Sequence, residues 1–445
     1  MSVVFVNPPT LKTASGEPRT REPPLGLLYL CAVLDGMRVG GRELDVELLD
    51  LDVKLGAGAR WPTAVEDADV VGFTCLTNAF PLVVKMASRV KQVNPSARVV
   101  LGGPHATFQA PQILKYHPDV DAVVVGEAEG TIAPLLGALL EPDGKKRDDM
   151  LCRVAGVAWR ALGGAFRSTP PPDPVDLASL PLPARHKLVP VYDVANVLVN
   201  RGCTSNCSFC ARQHLFRRTR VRPVESVVRE LRQIVAYPNY RHVNFYDHVN
   251  LLPGFVRKLC EAIVREKISI PWGAEVRVDK LTDEEVRLMR EAGCVGVATG
   301  VETADPNILE RHGKANQDLG RVLAGLERAI SGGLRVQAYF VVGLPGETSQ
   351  TFASTLEFVE SSQLRPGVDV VNFFLATPFP GSSLWERRNE FGIQDLEGDF
   401  SLYDCAHVLF STPTLSKGEF VELAEWAAEF ERNFNGGAVP KVSGP

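Results

Sequence analysis

Long apolar runs are missing from this chain of 445 residues. Stretches such as Ala338 to Val342 fall far short of the roughly 20 residues that span a bilayer, so no membrane span is expected. An excess of basic charge is missing as well. Lys and Arg number 48 against 53 Asp and Glu, a net charge of −5. That balance offers no broad positive face to neutralise a phosphate backbone, which argues against nucleic acid as substrate or partner. Nor is there a basic stretch or small-residue cleavage site ahead of Val3 to Val6. The N-terminus therefore reads as a first strand, not a signal peptide, and the protein is expected in the cytoplasm. Paired cysteines are also wanting: the nine are an odd number, and Cys31, Cys75, Cys152, Cys260, Cys294 and Cys405 stand singly among apolar neighbours. Such thiols are small core residues in a reducing compartment. No internal repeat or low-complexity tract is present.

What remains is an ordinary globular composition, 45% hydrophobic and 23% charged, on a chain too long for one hydrophobic core, so two or more domains are expected. Up to about residue 140, short β-branched runs at Val3 to Val6, Val46 to Asp50, Val70 to Thr74, Val99 to Gly102 and Ala122 to Gly126 alternate with helical patterns at Gly26 to Leu34, Ala79 to Val93 and Thr131 to Leu140. Nearly continuous apolar strands alternating with helices predict a doubly wound, Rossmann-like parallel α/β sheet, with ligands at the carboxyl ends of its strands. Residues 141 to 190 are charged and then proline-rich, and read as a linker with at most a hairpin around Val154 to Arg167. A second alternation follows: Val194 to Asn200, Val243 to Asp247, Pro271 to Glu275, Cys294 to Gly300, Val336 to Gly343 and Val368 to Ala376. Six strand-helix units suggest a partial (β/α)6 barrel, though periodicity alone leaves a second open sheet equally open. An amphipathic pattern over Lys417 to Phe434 predicts a terminal helix covering the barrel's open end.

Directly after the first strand of that second half stands Arg201-Gly202-Cys203-Thr204-Ser205-Asn206-Cys207-Ser208-Phe209-Cys210. Three thiolates in one tight loop can bind three irons of a cubane and leave the fourth to a small chelating molecule. Gly202 allows the turn, and Arg201 and Arg212 put positive charge beside an anionic cluster. A zinc knot completed by a distant ligand such as His214 is the other reading of the same loop.

A Cys-x3-Cys-x2-Cys loop after a first barrel strand resembles the signature of the radical S-adenosylmethionine (SAM) superfamily. The resemblance implies a [4Fe–4S] cluster on Cys203, Cys207 and Cys210, SAM chelated to the open iron, and reductive cleavage to a 5′-deoxyadenosyl radical. It extends over residues 194 to 400. Phe245-Tyr246-Asp247-His248 ends the second strand where the family offers polar groups to the SAM amino group, which points to Tyr246 and Asp247. Ala274-Glu275-Val276-Arg277 puts Glu275 and Arg277 on one side of an extended segment, with Arg277 for the SAM carboxylate by a two-pronged contact. Gly300-Val301-Glu302-Thr303 resembles the family's Gly-x-Glu element, which implies Glu302 as a SAM ligand. Gly343-Leu344-Pro345-Gly346-Glu347-Thr348 resembles the motif that packs beside adenine. Each of these also has a plain structural reading as a strand end, an ion pair or a helix N-terminus.

The first half resembles the cobalamin-binding domain that precedes many radical SAM domains, through Asn7-Pro8-Pro9, Pro24 to Leu30, Leu101-Gly102-Gly103-Pro104-His105 and Val125-Gly126-Glu127-Ala128-Glu129. The implied corrinoid contacts are Gly102, Gly103, His105, Gly126 and Glu127. The chain has no Asp-x-His-x-x-Gly, the element that supplies a lower axial histidine in one cobalamin pattern. Cys75 to Asn78, which follow the third strand, are then the residues expected under the cobalt, with Leu76 the choice among them. His105 is open to two readings, a loop residue bonding backbone or the corrin edge, or a direct ligand. The expected divisions are a cobalamin-binding domain over 1–140, a linker over 141–190, a radical SAM domain over 191–400 and a C-terminal segment over 401–445. The pairing implies a B12-dependent methyltransferase acting on an unactivated carbon, or phosphorus, of a small molecule, with a one-electron donor such as flavodoxin or ferredoxin. Oxidation, cyclisation or rearrangement without methyl transfer is the alternative. Tyr403, Asp404 and His407 are polar candidates for substrate contact.

Overall fold

Six strands of the first half carry apolar side chains on both faces, and the structure shows why. In this computed structural model, which describes residues 1–9, 22–51, 63–188 and 192–436, the sheet is sandwiched between two apolar layers. Thr10, the last residues of the linker and the end of the C-terminal segment lie outside the described residues. Along β1 (Ser2–Asn7), Val3 and Phe5 join one core with Leu27, Leu28, Ile132, Leu135 and Leu136. Val4 and Val6 join the opposite core with Val83, Ala87, Val90, Ile113 and Leu114. Period-two geometry sends successive residues to opposite layers, so neither face tolerates polar side chains.

Strands β1, β2 (Asp45–Asp50), β3 (Val70–Thr74), β4 (Arg98–Gly102) and β5 (Ala122–Val124) are all parallel, in the order β2-β1-β3-β4-β5. This doubly wound order reverses at β1, so its crevice opens at the carboxyl ends of β1 and β3. Antiparallel β6 (Val157–Arg160) and β7 (Phe166–Ser168) extend the sheet beyond β5. The stretch expected to carry only a hairpin also holds a helix, Gly144–Leu151, capped by Asp143, whose carboxylate accepts from the Lys145 and Lys146 amides. Its run of charges hides any apolar stripe. A second helix without a clear sequence signal is Pro104–Tyr116, where Pro111 and a non-helical Gln109 interrupt the pattern.

By contacts the chain divides into Met1–Val191 with Leu215–Arg217, and Tyr192–His214 with Arg218–Pro445. The second unit is built on β8 (Val194–Val197), β9 (His242–His248), β10 (Trp272–Glu275), β11 (Cys294–Glu302), β12 (Arg335–Val342) and β13 (Val370–Leu375), parallel and in consecutive order. Among the described residues no pairing closes β13 onto β8, as expected of a partial (β/α)6 barrel. Helices Val224–Val235, Phe255–Arg265, Asp283–Glu291, Leu319–Ser331 and Ser349–Ser361 run between its strands. Val224–Val235 buries Val224, Val227, Val228, Leu231 and Ile234, an apolar stripe at helical spacing.

The terminal helix Lys417–Phe434 begins at Ser416, which forms a capping box with Glu419. It lies along the free edge of β13, which corrects the expectation that it covers the open end. Glu431 accepts from the Phe373 amide at 2.9 Å, and Asn435 exchanges two hydrogen bonds with the backbone of Val371, at 3.1 and 2.9 Å. The unpaired N–H groups of an edge strand require such partners.

Candidate cofactor site

After β8 the chain forms a two-residue antiparallel pair, Asn200–Arg201 with Arg220–Val221, and the cysteine loop is what that pair closes. Gly202 has φ +86, and a Cβ there would stand 2.7 Å from the Arg218 carbonyl oxygen, so only glycine admits the close approach that starts the loop. Cys203, Cys207 and Cys210 line one pocket with about 780 Å³ of empty space, part of it open to solvent. Burial pushes the Cys207 thiol up to about 12, partly offset by Lys314, and raises Cys210 as well. Burial thus favours the protonated form of Cys207 and Cys210, which a bound cation would reverse. Among the described residues no three His, Cys, Asp or Glu side chains converge as a single metal ion requires. His214 instead meets the Gly381 carbonyl through Nδ1 at 2.6 Å.

The strand ends bring further polar groups to the same pocket: His248 from β9, Glu275 from β10, Arg277 just beyond it, and Gly300 and Glu302 from β11. Glu302 sits in a left-handed conformation, φ +72, at a register shift between β11 and β12. Such a backbone costs about 1–3 kcal/mol and persists only where surroundings enforce it. Its carboxylate folds back over Gly300, where a Cβ would lie 2.2 Å from Glu302 Oε1. That contact is the physical reason for glycine two residues before the glutamate. Lys314 Nζ holds the carboxylate, donating to Glu302 Oε1 at 2.5 Å, the Gly300 carbonyl at 3.1 Å and Gln317 Oε1 at 3.2 Å. All three ammonium donors are thereby used.

Burial raises the Glu275 carboxyl to about 7, against the opposing charge of Arg212, with Glu302 adding to the rise. Burial lowers His248 to about 3, helped by Arg212, Lys314 and Arg277. The imidazole is therefore neutral, and its Nε2 lies 4.0 Å from Glu275 Oε2.

Three expected residues are placed differently. The two-pronged contact of Arg277 is made within the protein: Nε and Nη2 donate to Asp279 at 2.8 and 2.7 Å, and Nη1 reaches Ser205 Oγ at 3.3 Å. Asp247 is buried, ion-paired with Arg212, and accepts from the Asn200 amide at 3.2 Å. Tyr246 is 44% exposed, and neither it nor Asp247 lines the pocket. The pairing of β9 with β10 shifts register between Phe245 and His248, and it is His248 that reaches the pocket where Tyr246 and Asp247 were expected. The other contributors missed from sequence, Lys314 and Asn200, carried no local signal.

In the first unit, Leu76 projects at the carboxyl end of β3, 50% exposed. His105 is 1% exposed, with Nδ1 3.3 Å from Thr77 Oγ1 and its ring 4.3 Å from that of Phe80. Burial lowers it to about 3. Gly103, φ +95, is required by the neighbouring loop: a Cβ would meet the Cys75 backbone at 3.0 Å. Gly102 has only Val124 within 4 Å of its Cβ position, and the Gly126 amide donates to Thr107 Oγ1 at 3.1 Å. Glu127 accepts from the Val175 amide at 2.8 Å, so it anchors the proline-rich segment. Of the C-terminal candidates, Tyr403 is buried and donates to the Glu397 carbonyl at 2.6 Å, a packing role, while His407 and Asp404 pair with each other at 2.9 Å.

Residues 197–359 match the Radical SAM superfamily and residues 12–136 the B12 binding domain. An uncharacterized methyltransferase of Pyrococcus horikoshii is 30% identical over 398 residues, 87% of this chain and 83% of its own length. The anaerobic magnesium-protoporphyrin IX monomethyl ester cyclase of Rubrivivax gelatinosus is 29% identical over 442 residues, 95% of this chain and 76% of its own. The structure of the radical S-adenosylmethionine methyltransferase TsrM from Kitasatospora setae, with cobalamin and a [4Fe–4S] cluster bound, shares the fold with a TM-score of 0.70 at 19% identity, covering 97% of this chain and 85% of that one. No helix among the described residues is long and apolar enough to cross a membrane. The chain belongs to the cobalamin-dependent radical SAM enzymes, a methyltransferase-like family that uses a [4Fe–4S] cluster, SAM and cobalamin.

Proposed function

We propose that Cys203, Cys207 and Cys210 hold the cluster, that SAM binds in the pocket they line, and that the enzyme methylates an unactivated carbon, or phosphorus, of a small molecule. The observation that carries this reading is one pocket lined by the three thiols together with His248, Glu275, Arg277, Glu302 and Lys314. When bound, the cluster with SAM supplies a hydrogen-abstracting radical and cobalamin supplies the methyl group. The protein's part is binding and orientation. Glu302, with one oxygen held by Lys314, offers the other to an ammonium or ribose hydroxyl. Arg212 donates to the Gly202 carbonyl at 3.2 Å and bridges to Asp247, which ties the cysteine loop to β9. Arg277, its fork taken by Asp279, contributes positive charge and an Nη1 donor rather than a bidentate grip. Burial keeps His248 uncharged and raises the Glu275 carboxyl towards neutrality, so Glu275 is the group at the pocket wall able to hold or release a proton.

In the first unit, Leu76, Gly102, Gly103, Gly126 and Glu127 would hold the corrinoid, with Leu76 expected on the lower side of the cobalt. The division into cobalamin-binding domain, linker, radical SAM domain and C-terminal segment, a cytoplasmic setting, and a flavodoxin or ferredoxin as electron donor belong to the same proposal. Radical cyclisation or oxidation without methyl transfer is the second reading, favoured by the similarity to the cyclase. Anaerobic reconstitution followed by mass spectrometry of the product decides: one added methylene mass supports methylation, and an unchanged or reduced mass supports the alternative.

A further inference from the structure

The turn after the helix Pro306–Arg311 meets the cofactor pocket through Lys314 and the cysteine loop through the two residues before it. Lys314 holds Glu302, as described. Gly313, φ +78, lies where a Cβ would come 2.2 Å from the Asn206 carbonyl oxygen, so the turn is pressed against the cysteine loop. His312, 1% exposed, lies behind both. Its backbone carbonyl accepts from the Ser208 amide at 3.0 Å. Its ring bridges two loops: Nδ1 is 2.5 Å from Ser208 Oγ, between the second and third cluster cysteines, and Nε2 is 2.9 Å from the carbonyl of Pro345, in the loop after β12. The ring stacks on Phe391 at 5.4 Å and 15°.

The partners fix the chemistry of this bridge. A carbonyl only accepts, so Nε2 carries the proton and donates to Pro345. Nδ1 of the neutral ring is then an acceptor, and the Ser208 hydroxyl donates to it. The Ser208 carbonyl in turn accepts from the Leu384 amide at 2.8 Å, which pins the other side of the cysteine loop. Burial lowers His312 to about 4, consistent with an uncharged ring.

We propose that His312, as the neutral Nε2–H tautomer, is a positioning residue that locks the cysteine loop to the loop after β12, and so holds the cysteine-loop wall of the SAM pocket in place. This rests on the cluster and SAM assignment made above. A ring that joins two loops through two directed hydrogen bonds fixes their separation, which packing alone leaves free to slide, and displacement of an ångström at a reacting centre costs up to about 100-fold in rate.

The test uses the full chain with cluster and cobalamin loaded, comparing wild type, His312→Phe, which keeps the ring and loses both bonds, His312→Gln, which restores an N–H donor, and Ser208→Ala. The expected result is normal iron and sulfide content in all four. SAM affinity, measured by titration of the reduced cluster's electron paramagnetic resonance signal, should fall roughly 10-fold or more in His312→Phe and Ser208→Ala, with partial recovery in His312→Gln. The double variant His312→Phe with Ser208→Ala should be no worse than the more affected single one, because both remove the same bond. In the metal-free protein, nitrogen-15 NMR of histidine should show His312 protonated only at Nε2 near neutral pH. An Nδ1–H or doubly protonated ring overturns the proposal, as does wild-type SAM affinity in Ser208→Ala, the variant least able to disturb folding. If wild type itself takes up no cluster, or Cys203→Ala retains it, the underlying assignment fails instead.

Discussion

Seven of the nine thiols fall into two groups that burial and charge separate, while Cys152 is exposed and Cys405 half-buried, so neither is the core residue expected from sequence. Cys31, Cys75, Cys260 and Cys294 are buried with no cationic pocket around them, and burial raises Cys260 to about 12. Cys203, Cys207 and Cys210 share a pocket with Arg212, Arg277 and Lys314. Replacing any of the three by Ala should abolish cluster iron and formation of 5′-deoxyadenosine, while Cys260→Ala and Cys294→Ala keep both; iron and sulfide assays with product chromatography check this. Glu347 offers a pH test. Its Oε2 accepts from the Gly343 amide, while Oε1 is buried without a hydrogen-bond partner, and burial raises the carboxyl to about 8. The folded state therefore binds its proton more tightly than the unfolded chain does, so this contribution to stability is full below the ordinary carboxylate range and is lost as pH rises towards about 8. Denaturant midpoints of wild type should decline across that window, and Glu347→Gln should flatten the decline. The cysteine trio was legible as a spacing, whereas the fate of Arg277 was not, because Asp279 competes for its fork only once the loop is folded.

At the scale of elements, glycines and caps do the placing. A methyl group at Gly202 would meet Arg218 backbone in a left-handed conformation, so Gly202→Ala should cost about 1–3 kcal/mol and reduce cluster uptake together with stability. Urea denaturation and iron content measured on one preparation test both. On the far side of the sheet, Asn435→Ala strips two hydrogen bonds from the Val371 backbone and leaves those groups buried. A loss of about 1–3 kcal/mol is expected in the same measurement, with cluster content of the folded fraction unchanged. Strand positions were readable because β-branched runs between glycines and prolines have few other uses. Helix Pro104–Tyr116 was not, since an internal proline erases its periodicity.

For the whole molecule, the corrinoid decides between a cofactor-bearing sheet and a bare cap. With His105 buried beside Thr77 and Phe80, the cobalt should have no protein nitrogen below it. The Co(II) electron paramagnetic resonance spectrum should therefore lack nitrogen superhyperfine splitting in wild type and stay unchanged in His105→Ala. Protein reconstituted with cluster but without cobalamin should still form 5′-deoxyadenosine and yield no methylated product; methylation without corrinoid would remove cobalamin from the mechanism. What the sequence determined by itself was local: two strand-helix alternations, one with nearly continuous apolar strands, three thiols at cluster spacing, and the glycine that starts their loop. Each follows from period, turn chemistry or donor type within a few residues. The tertiary structure decided the rest. Lys314 reaches Glu302, His312 reaches Ser208 and Pro345, and Glu431 and Asn435 reach β13 only because distant segments pack together. A long-range hydrogen bond leaves no local pattern, since its donor and acceptor types are common and its partner is chosen by the fold.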